Sequence, residues 1–427
     1  MYRKQPVGQL KFEDFYLPFG GNLRGDNRWV ILAKQIPWQK IEDEYSAHFN
    51  DLGCPAKPAR VALGSLIIKE RLGATDRETV LQIAENPYLQ YFLGFHEYKD
   101  EVPFDHTLMT TFRKRFTQEM LAEINEAVVH KATVAANEDE LQKNSSDDDN
   151  DDIQKPSNNG KLIIDATCTP ADVAYPTDLN LLNDAREKTD EMIDAMHKPF
   201  VGKRRRPRTY SEKARREYLA VAKQKKPGYK KIRRAIGKQL NYLRRNLNYI
   251  EAMITEGLLW RLDKRLYRLL LVVNEVYRQQ RRMYESQTHK ISGRIVSLSQ
   301  PHVRPIVRGK AKSPVEFGAK ISAAVVDGFG FVDRINWEAY NESGDLKAQV
   351  EQYRKRFGFY PESVHADKIY RTRENRQYCK ANGIRLSGQP LGRPKIPTIA
   401  NAEELKREKK QMYQDEIDRI AIEGKFG

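Results

Sequence analysis

Residues 137–160, NEDELQKNSSDDDNDDIQKPSNNG, carry only Leu141 and Ile153 as apolar side chains. That is too little burial to offset the entropy of ordering a segment of this length. The stretch reads as an acidic, disordered linker, so the 427-residue chain must build one core before it and another after it. The DDDNDD run lacks the Gly and the distal Glu of a calcium loop, and solvated linker is its plain reading.

Residues 1–136 read as a mostly helical N-terminal domain. PARVALGSLIIKERLG has apolar residues at helical spacing, Thr75 and Glu78 in TDRE form a capping box, and DHTLMTTFRKRF predicts a helix that ends in Arg113, Lys114 and Arg115. Short helices closing on a basic one suit a helix-turn-helix-like DNA-binding module, and equally a helical domain with no DNA role.

The formal net charge is +16, which implies a polyanionic partner: nucleic acid, or a membrane surface as the competing reading. Between Lys198 and Arg245 nineteen Lys or Arg face two Glu, with Tyr210, Tyr218, Tyr229 and Tyr242 interleaved. Such a window repels itself without a partner and suits phosphate contacts and stacking, so Arg204, Arg205, Arg206, Lys230, Lys231, Arg233 and Arg234 are candidate DNA contacts. The run LLLVV at 269–273 falls far short of the ~20 residues of a membrane span. Cys54, Cys168 and Cys379 are too scattered for a disulfide framework or zinc site, and the N-terminus lacks an apolar signal region. A cytoplasmic protein without membrane association is expected.

From Ile236 apolar residues fall at 236, 240, 243, 247, 250 and 254, then at 259, 262, 266, 269, 273 and 276. This is a heptad seam whose phase breaks beside Gly257; two long helices folded back there, or one continuous helix with a stutter, both satisfy it. Around this stretch KLIIDAT, EFGAKISAAVVDG, FGFVDRINW, PESVHAD and IRLSG read as strands, with helices over SGDLKAQVEQYRKRFG, RTRENRQYCKANG and from about Ala402. The order predicts an α/β, ribonuclease-H-like core over 161–427, interrupted after its first strand by a basic helical insertion at about 180–290.

Asp165 closes the apolar run LII, and Asp367 ends ESVHAD. A carboxylate at the exit of a buried strand needs a partner, a hydrogen bond or a metal, and in such a sheet the two strands can be neighbours. Glu423 lies beside the stripe marked by Ile417 and Ile420 and so can face the sheet. Two Asp and a Glu make a hard oxygen site for Mg²⁺ or Mn²⁺, two ions of which can support phosphoryl transfer. His365 shares a strand face with Asp367 by period two and is either a structural histidine or a support to the site. No GxxxxGK[ST], HExxH or GxSxG motif occurs, which disfavours nucleotide hydrolysis, zinc proteolysis and serine hydrolysis.

Several long strings carry a resemblance: IIDATCTPADVAYPTDLNLLNDARE, QPHVRPIVRGKAKSPVEFGAKI, DLKAQVEQYRKRFGFYPESVHADKIYRTRENRQYCKANGIRLSG and RIAIEGKFG, with ENPYLQYFLGF and FDHTLMTTFRKRF ahead of the linker. Together they resemble the DDE transposases of bacterial insertion sequences that carry a helical transposase-specific N-terminal domain. The resemblance implies cleavage at inverted-repeat ends and joining of the 3′-hydroxyl to target DNA, with Asp165, Asp367 and Glu423 as the metal-binding catalytic triad and no nucleotide cofactor. It implies double-stranded DNA as partner, a homodimer that pairs two element ends, and a nucleoid-associated bacterial protein. Arg419 matches the Arg of the family's Y-x2-R-x3-E-x6-K signature; Glu416 stands where its Tyr belongs, with Tyr413 the nearest tyrosine. The closing Lys would fall at 430, so the chain reads as cut short after Glu423. An impaired transposase that only binds DNA, and a ribonuclease-H-fold nuclease without strand transfer, are the alternatives.

Overall fold

The computed structural model describes residues 2, 10–18, 20–47, 49, 55–143, 158–307, 315–389, 392 and 401–426. They form two compact units, 1–157 and 158–427.

The first unit is helical: α1 (Arg28–Gln35), α2 (Trp38–Ser46), α3 (Ala59–Leu72), α4 (Asp76–Glu85), α5 (Pro87–Phe92), α6 (Leu108–Arg115) and α7 (Gln118–Lys143). Its starts are chemically marked. The Thr75 side chain accepts the Glu78 N–H to open α4, and Asn86 accepts from Tyr88 with Pro87 in the first turn of α5. Trp29, Ile41, Tyr45, Ile68, Ile83, Phe92 and Phe112 are buried in one core. Arg60 closes α5 from below, donating from Nε to the Phe92 carbonyl at 2.8 Å and from Nη2 to the Tyr91 carbonyl at 3.0 Å. Helix α7 continues through 137–143, into the stretch read as linker, because Glu, Leu, Gln and Lys there are strong helix formers. Residues 144–157 of that stretch lie outside the described residues, as does Cys54.

The second unit is built on a mixed sheet. Strand β1 (Lys161–Pro170) is followed by α8 (Asp178–His197), α9 (Ser211–Ala222), α10 (Tyr229–Thr255) and α11 (Lys264–Glu285). Then come β2 (Arg304–Val307), β3 (Val315–Val326), β4 (Phe329–Asn336), α12 (Leu346–Phe357), β5 (Ser363–His365), α13 (Arg373–Ala381), β6 (Arg385–Leu386) and α14 (Ala402–Phe426). The order across the sheet is β2-β3-β1-β5-β6, with β4 also paired to β3. Strands β1, β3 and β4 run antiparallel in turn, while β5 and β6 run parallel to β1. The β3–β4 hairpin turns at Asp327 and Gly328, both at positive φ, as a tight two-residue turn demands.

The heptad seam packs as a hairpin. Ile236, Leu240, Leu243 and Ile250 of α10 and Leu262, Leu266, Val273 and Val276 toward and within α11 are buried, and Gly257 turns the chain at φ 82°. Helix α8 packs along both, contributing Leu182, Ala185, Met192 and Ile193. Strand β2 is not apparent in the sequence: four residues, RPIV, offer no period to read. Gly318 sits where β1, β2 and β3 meet, opposite Pro170 and Arg304. A Cβ there would stand 2.0 Å from the Thr169 carbonyl oxygen, so only glycine allows the strands to approach.

Candidate active site at the edge of the sheet

Leu162 and Ile164 bury β1, and Asp165 follows at the point where the strand leaves the core. Its Oδ1 accepts the Ala166 N–H at 2.8 Å. Burial pushes its carboxyl above the ordinary value; the Ala166 hydrogen bond and Arg419 oppose this, and the Glu342 and Asp367 charges add to it.

Asp367 lies just beyond β5 and caps a short helical turn over Lys368–Tyr370 by accepting the Lys368 N–H at 2.7 Å. Strands β1 and β5 are parallel neighbours, with Ile163 paired to His365. Asp165 and Asp367 each lie two residues beyond that pair and feel one another's charge, although they are 202 positions apart (367 − 165).

Helix α14 supplies the third group. Arg419 Nη1 is 3.6 Å from Asp367 Oδ1, and its Nη2 is 4.0 Å from Glu423 Oε1. The guanidinium thus stands between the two carboxylates. The helix is fixed by Ile422, which packs against Ile163, Ala323 and Val325, by Arg385 donating to both Asp415 oxygens at 2.7 and 2.9 Å, and by Lys161 donating to Asp418 at 2.7 Å. The stripe expected from Ile417 and Ile420 is corrected: both are exposed, Ile420 by 60%, whereas Asp415 and Ile422 are buried. The sheet meets α14 with cations, so aspartates face inward and the isoleucines outward. Glu423, next to Ile422, has a side chain 64% exposed.

His365 is wholly buried and turned to α14 rather than to Asp367. Its Nε2 is 2.9 Å from Ser363 Oγ, and its Nδ1 is 3.7 Å from Asp415 and 4.0 Å from Asp418. Burial holds its ring below the ordinary histidine value.

An all-carboxylate set is hard and suits Mg²⁺ or Mn²⁺, and the upward push on Asp165 marks a place that favours added positive charge. Asp165 and Asp367 fit such an ion by chemistry. Among the described residues no three His, Cys, Asp or Glu stand as a group able to hold one ion, and Glu423 is turned to Arg419. Glu342 and Tyr370, which flank Asp165, carry no sequence signal.

The basic candidates divide. Arg204 pairs with Glu256 at 2.6 and 3.0 Å, Arg206 with Asp194, and Arg233 stacks 4.3 Å over Tyr284 while donating to its carbonyl. Arg113 pairs with Asp76, and Arg115 donates to the Tyr45 hydroxyl over the Phe49 ring. Lys114, Arg205, Lys230, Lys231 and Arg234 are exposed and make no ion pair among the described residues.

The second unit is therefore an α/β chain of ribonuclease-H-like order with an acidic sheet edge. Residues 19–115 match the family described as Transposase domain (DUF772), and residues 364–427 match Transposase DDE domain. An uncharacterized protein, ORF8 in the nfe locus of Rhizobium meliloti, is 31% identical over 152 residues, 36% of this chain and 66% of that relative. The chain thus spans just under two thirds of the relative's length. No solved structure matches. The chain thus resembles a transposase domain near one end and a transposase DDE domain at the other.

Proposed function

We propose that the chain cuts DNA at the ends of an insertion sequence and joins the freed 3′-hydroxyl to target DNA. The observation that carries this reading is that Asp165 and Asp367 each follow the paired ends of β1 and β5, with Arg419 of α14 set between Asp367 and Glu423. Two Mg²⁺ or Mn²⁺ ions held by Asp165, Asp367 and Glu423 would neutralise charge on the phosphoryl oxygens and activate the nucleophile.

The protein's own part is positioning. Arg419 orients Asp367 and Glu423, and the Arg385–Asp415 and Lys161–Asp418 pairs hold α14 on the sheet. In the first step a water oxygen bonds to phosphorus and the 3′-oxygen leaves; in the second that 3′-oxygen bonds to a target phosphorus and a target 3′-oxygen leaves. The first step leaves a 3′-hydroxyl and a 5′-phosphate, and the second forms one phosphodiester for the one it breaks, so no nucleotide is needed. We assign the helical unit and the outer face of α10 to DNA binding, and a homodimer to the pairing of two ends. A cytoplasmic, nucleoid-associated site of action accords with this; among the described residues no helix is long and apolar enough to cross a membrane.

The test is cleavage and strand transfer on duplexes carrying the ends of the encoding element, with Asp165→Asn, Asp367→Asn and Glu423→Gln variants. Each is expected to lose activity by at least a hundredfold while retaining DNA affinity. Cleavage without transfer of a pre-cut end would make the chain a nuclease; wild-type binding without cleavage would make it a DNA-binding protein only.

A further inference from the structure

A cavity of about 970 Å³ lies within the helical unit, where the ends of α1 and α5 meet the starts of α2 and α3. Arg60 stands in its wall. The guanidinium lies 4.9 Å over the Trp38 ring and uses two donors on the open end of α5, Nε on the Phe92 carbonyl and Nη2 on the Tyr91 carbonyl. Gly94, at φ 84°, makes room for it, since a Cβ there would stand 2.9 Å from Arg60 Cδ. An arginine has five N–H donors, so three are left, both of those on Nη1 included, without a partner among the described residues. No carboxylate pairs with the group either: burial pushes its pKa down to about 10, and only the Tyr91 hydroxyl opposes that shift.

The rest of the lining adds to this charge. Lys57 donates to the Pro103 carbonyl at 2.9 Å and Lys131 to the Lys34 carbonyl at 2.5 Å, both uncharged partners, and the Lys34 ammonium lies 5.1 Å from the Phe12 ring. Lys40 faces the Glu44 carboxylate at 3.7 Å. The other two acids belong to α2: Glu42 accepts the Tyr2 hydroxyl at 2.5 Å, and Asp43 accepts the Gln39 amide at 3.3 Å. Five cations thus line the cavity against three carboxylates, and Ile36, Pro37, Leu93 and Phe95 give it an apolar surface.

A guanidinium with a free planar edge recognises paired oxygens, those of a carboxylate or a phosphate. The surplus of two positive charges favours the second, because a phosphomonoester is close to a dianion at neutral pH. Each phosphate of a duplex carries a single charge, and a concave site of this volume with a few convergent polar groups has the form of a small-molecule pocket. We infer that the cavity binds a small organic phosphomonoester, its phosphate held by the free edge of Arg60 and the lysine rim and its apolar body against Ile36, Leu93 and Phe95. Such a ligand touches α2, α3 and the end of α5 at once, and so stabilises the helical unit. The inference stands apart from the proposed cleavage reaction, whose carboxylates belong to the second unit.

The experiment titrates the full chain, in EDTA, with phenyl phosphate, inorganic phosphate and phenol in a calorimeter. Phenyl phosphate is expected to bind about tenfold more tightly than either of the other two, since only it offers both the charge and the apolar body, and to raise the melting temperature of the wild type. Arg60→Lys keeps the charge and loses the planar fork; it should weaken phenyl phosphate by about tenfold. The double variant Lys34→Gln, Lys40→Gln, at exposed positions where folding is not at stake, should do the same with an unchanged melting temperature in the absence of ligand. Equal affinity for phenyl phosphate and inorganic phosphate, or an affinity that both variants keep, overturns the inference. A duplex of about 20 base pairs with 5′-phosphates presents the same group from another source. If that duplex outbinds its unphosphorylated twin, the variants erase the difference and phenyl phosphate does not bind, a DNA end occupies the cavity and the small-molecule assignment falls.

Discussion

The Arg385 guanidinium grips the Asp415 carboxylate with two hydrogen bonds of 2.7 and 2.9 Å, joining the shortest strand of the sheet to the helix that carries Arg419 and Glu423. Asp415 is buried, so breaking the pair leaves an uncompensated charge under α14. Arg385→Ala is expected to lower stability by about 2 kcal/mol, discounted for the partial exposure of the arginine. Because displacement of a catalytic group by ~1 Å can slow a reaction a hundredfold, cleavage should fall further than stability. Hydrogen exchange along α14 and the cleavage rate check this, and an Arg385→Asp, Asp415→Arg exchange should recover part of both.

Acid should release the same helix. Burial works to raise the Asp415 and Asp418 carboxyls, yet hydrogen bonds from Arg385 and Gln411 to the first, and from Lys161 and Gln414 to the second, outweigh it and hold both below the ordinary value. A carboxyl lowered by folding contributes stability above its unfolded pKa, about 3.9, and that contribution is lost as pH falls through the lower folded value. Thermal unfolding from pH 7 to pH 2 should show the loss beginning near pH 4, and Asp415→Asn with Asp418→Asn should flatten it.

Asp165 has the opposite sign. Its raised carboxyl means that the folded state binds the proton more tightly, so the charged form at neutral pH opposes folding. Asp165→Asn should therefore raise the melting temperature at pH 7 by roughly 2 °C while abolishing cleavage. A melting temperature lower than wild type would show that the carboxylate is not under the strain inferred for it.

Gly318→Ala is expected to be among the most damaging small changes in the sheet. The new methyl would collide with the Thr169 backbone, which cannot move without shifting β1, and overpacking of this kind destabilises by about 1–3 kcal/mol or more. Gly330, whose added Cβ would meet nothing within 4 Å, is the control, and denaturant midpoints of the two variants should separate clearly.

Charge reversal should divide the basic window. Lys230→Glu, Lys231→Glu and Arg234→Glu together are expected to weaken DNA binding and reduce the slope of affinity against salt by ~0.9 for each phosphate no longer neutralised. Arg204→Glu acts differently, because it places a second anion beside Glu256 and should act mainly on the fold of the insert. Fluorescence anisotropy over a salt series, beside melting curves, resolves the two effects.

Much of this architecture is legible in residue pattern. LIID and ESVHAD announce two buried strands each leading to an aspartate, and the seam from Ile236 to Val276 marks helix with a phase break at Gly257, leaving the choice between a hairpin and a stuttered single helix to the fold. What escapes the sequence depends on partners far away in the chain. Ile417 and Ile420 have the spacing of an inward face, yet Arg385 and Lys161 draw Asp415 and Asp418 underneath α14 instead. Arg204 and Arg206 have the setting of phosphate contacts, yet Glu256 and Asp194 occupy them. Glu342 opens a three-residue 3-10 turn, Glu342–Gly344, whose composition suggests only a turn, and its nearness to Asp165 is a product of tertiary folding.

Pro170 and Arg304 both meet Gly318, so α8 to α11 leave and return to the sheet through one doorway about two strand spacings wide. The ends of the insert are therefore fixed by the sheet, whatever lies between them. Since the entropy of closing a loop grows only with the logarithm of its length, such a module can lengthen, shorten or be exchanged with little strain on β1 and β3. The sheet can keep its carboxylates in place while the basic helices between β1 and β2 change.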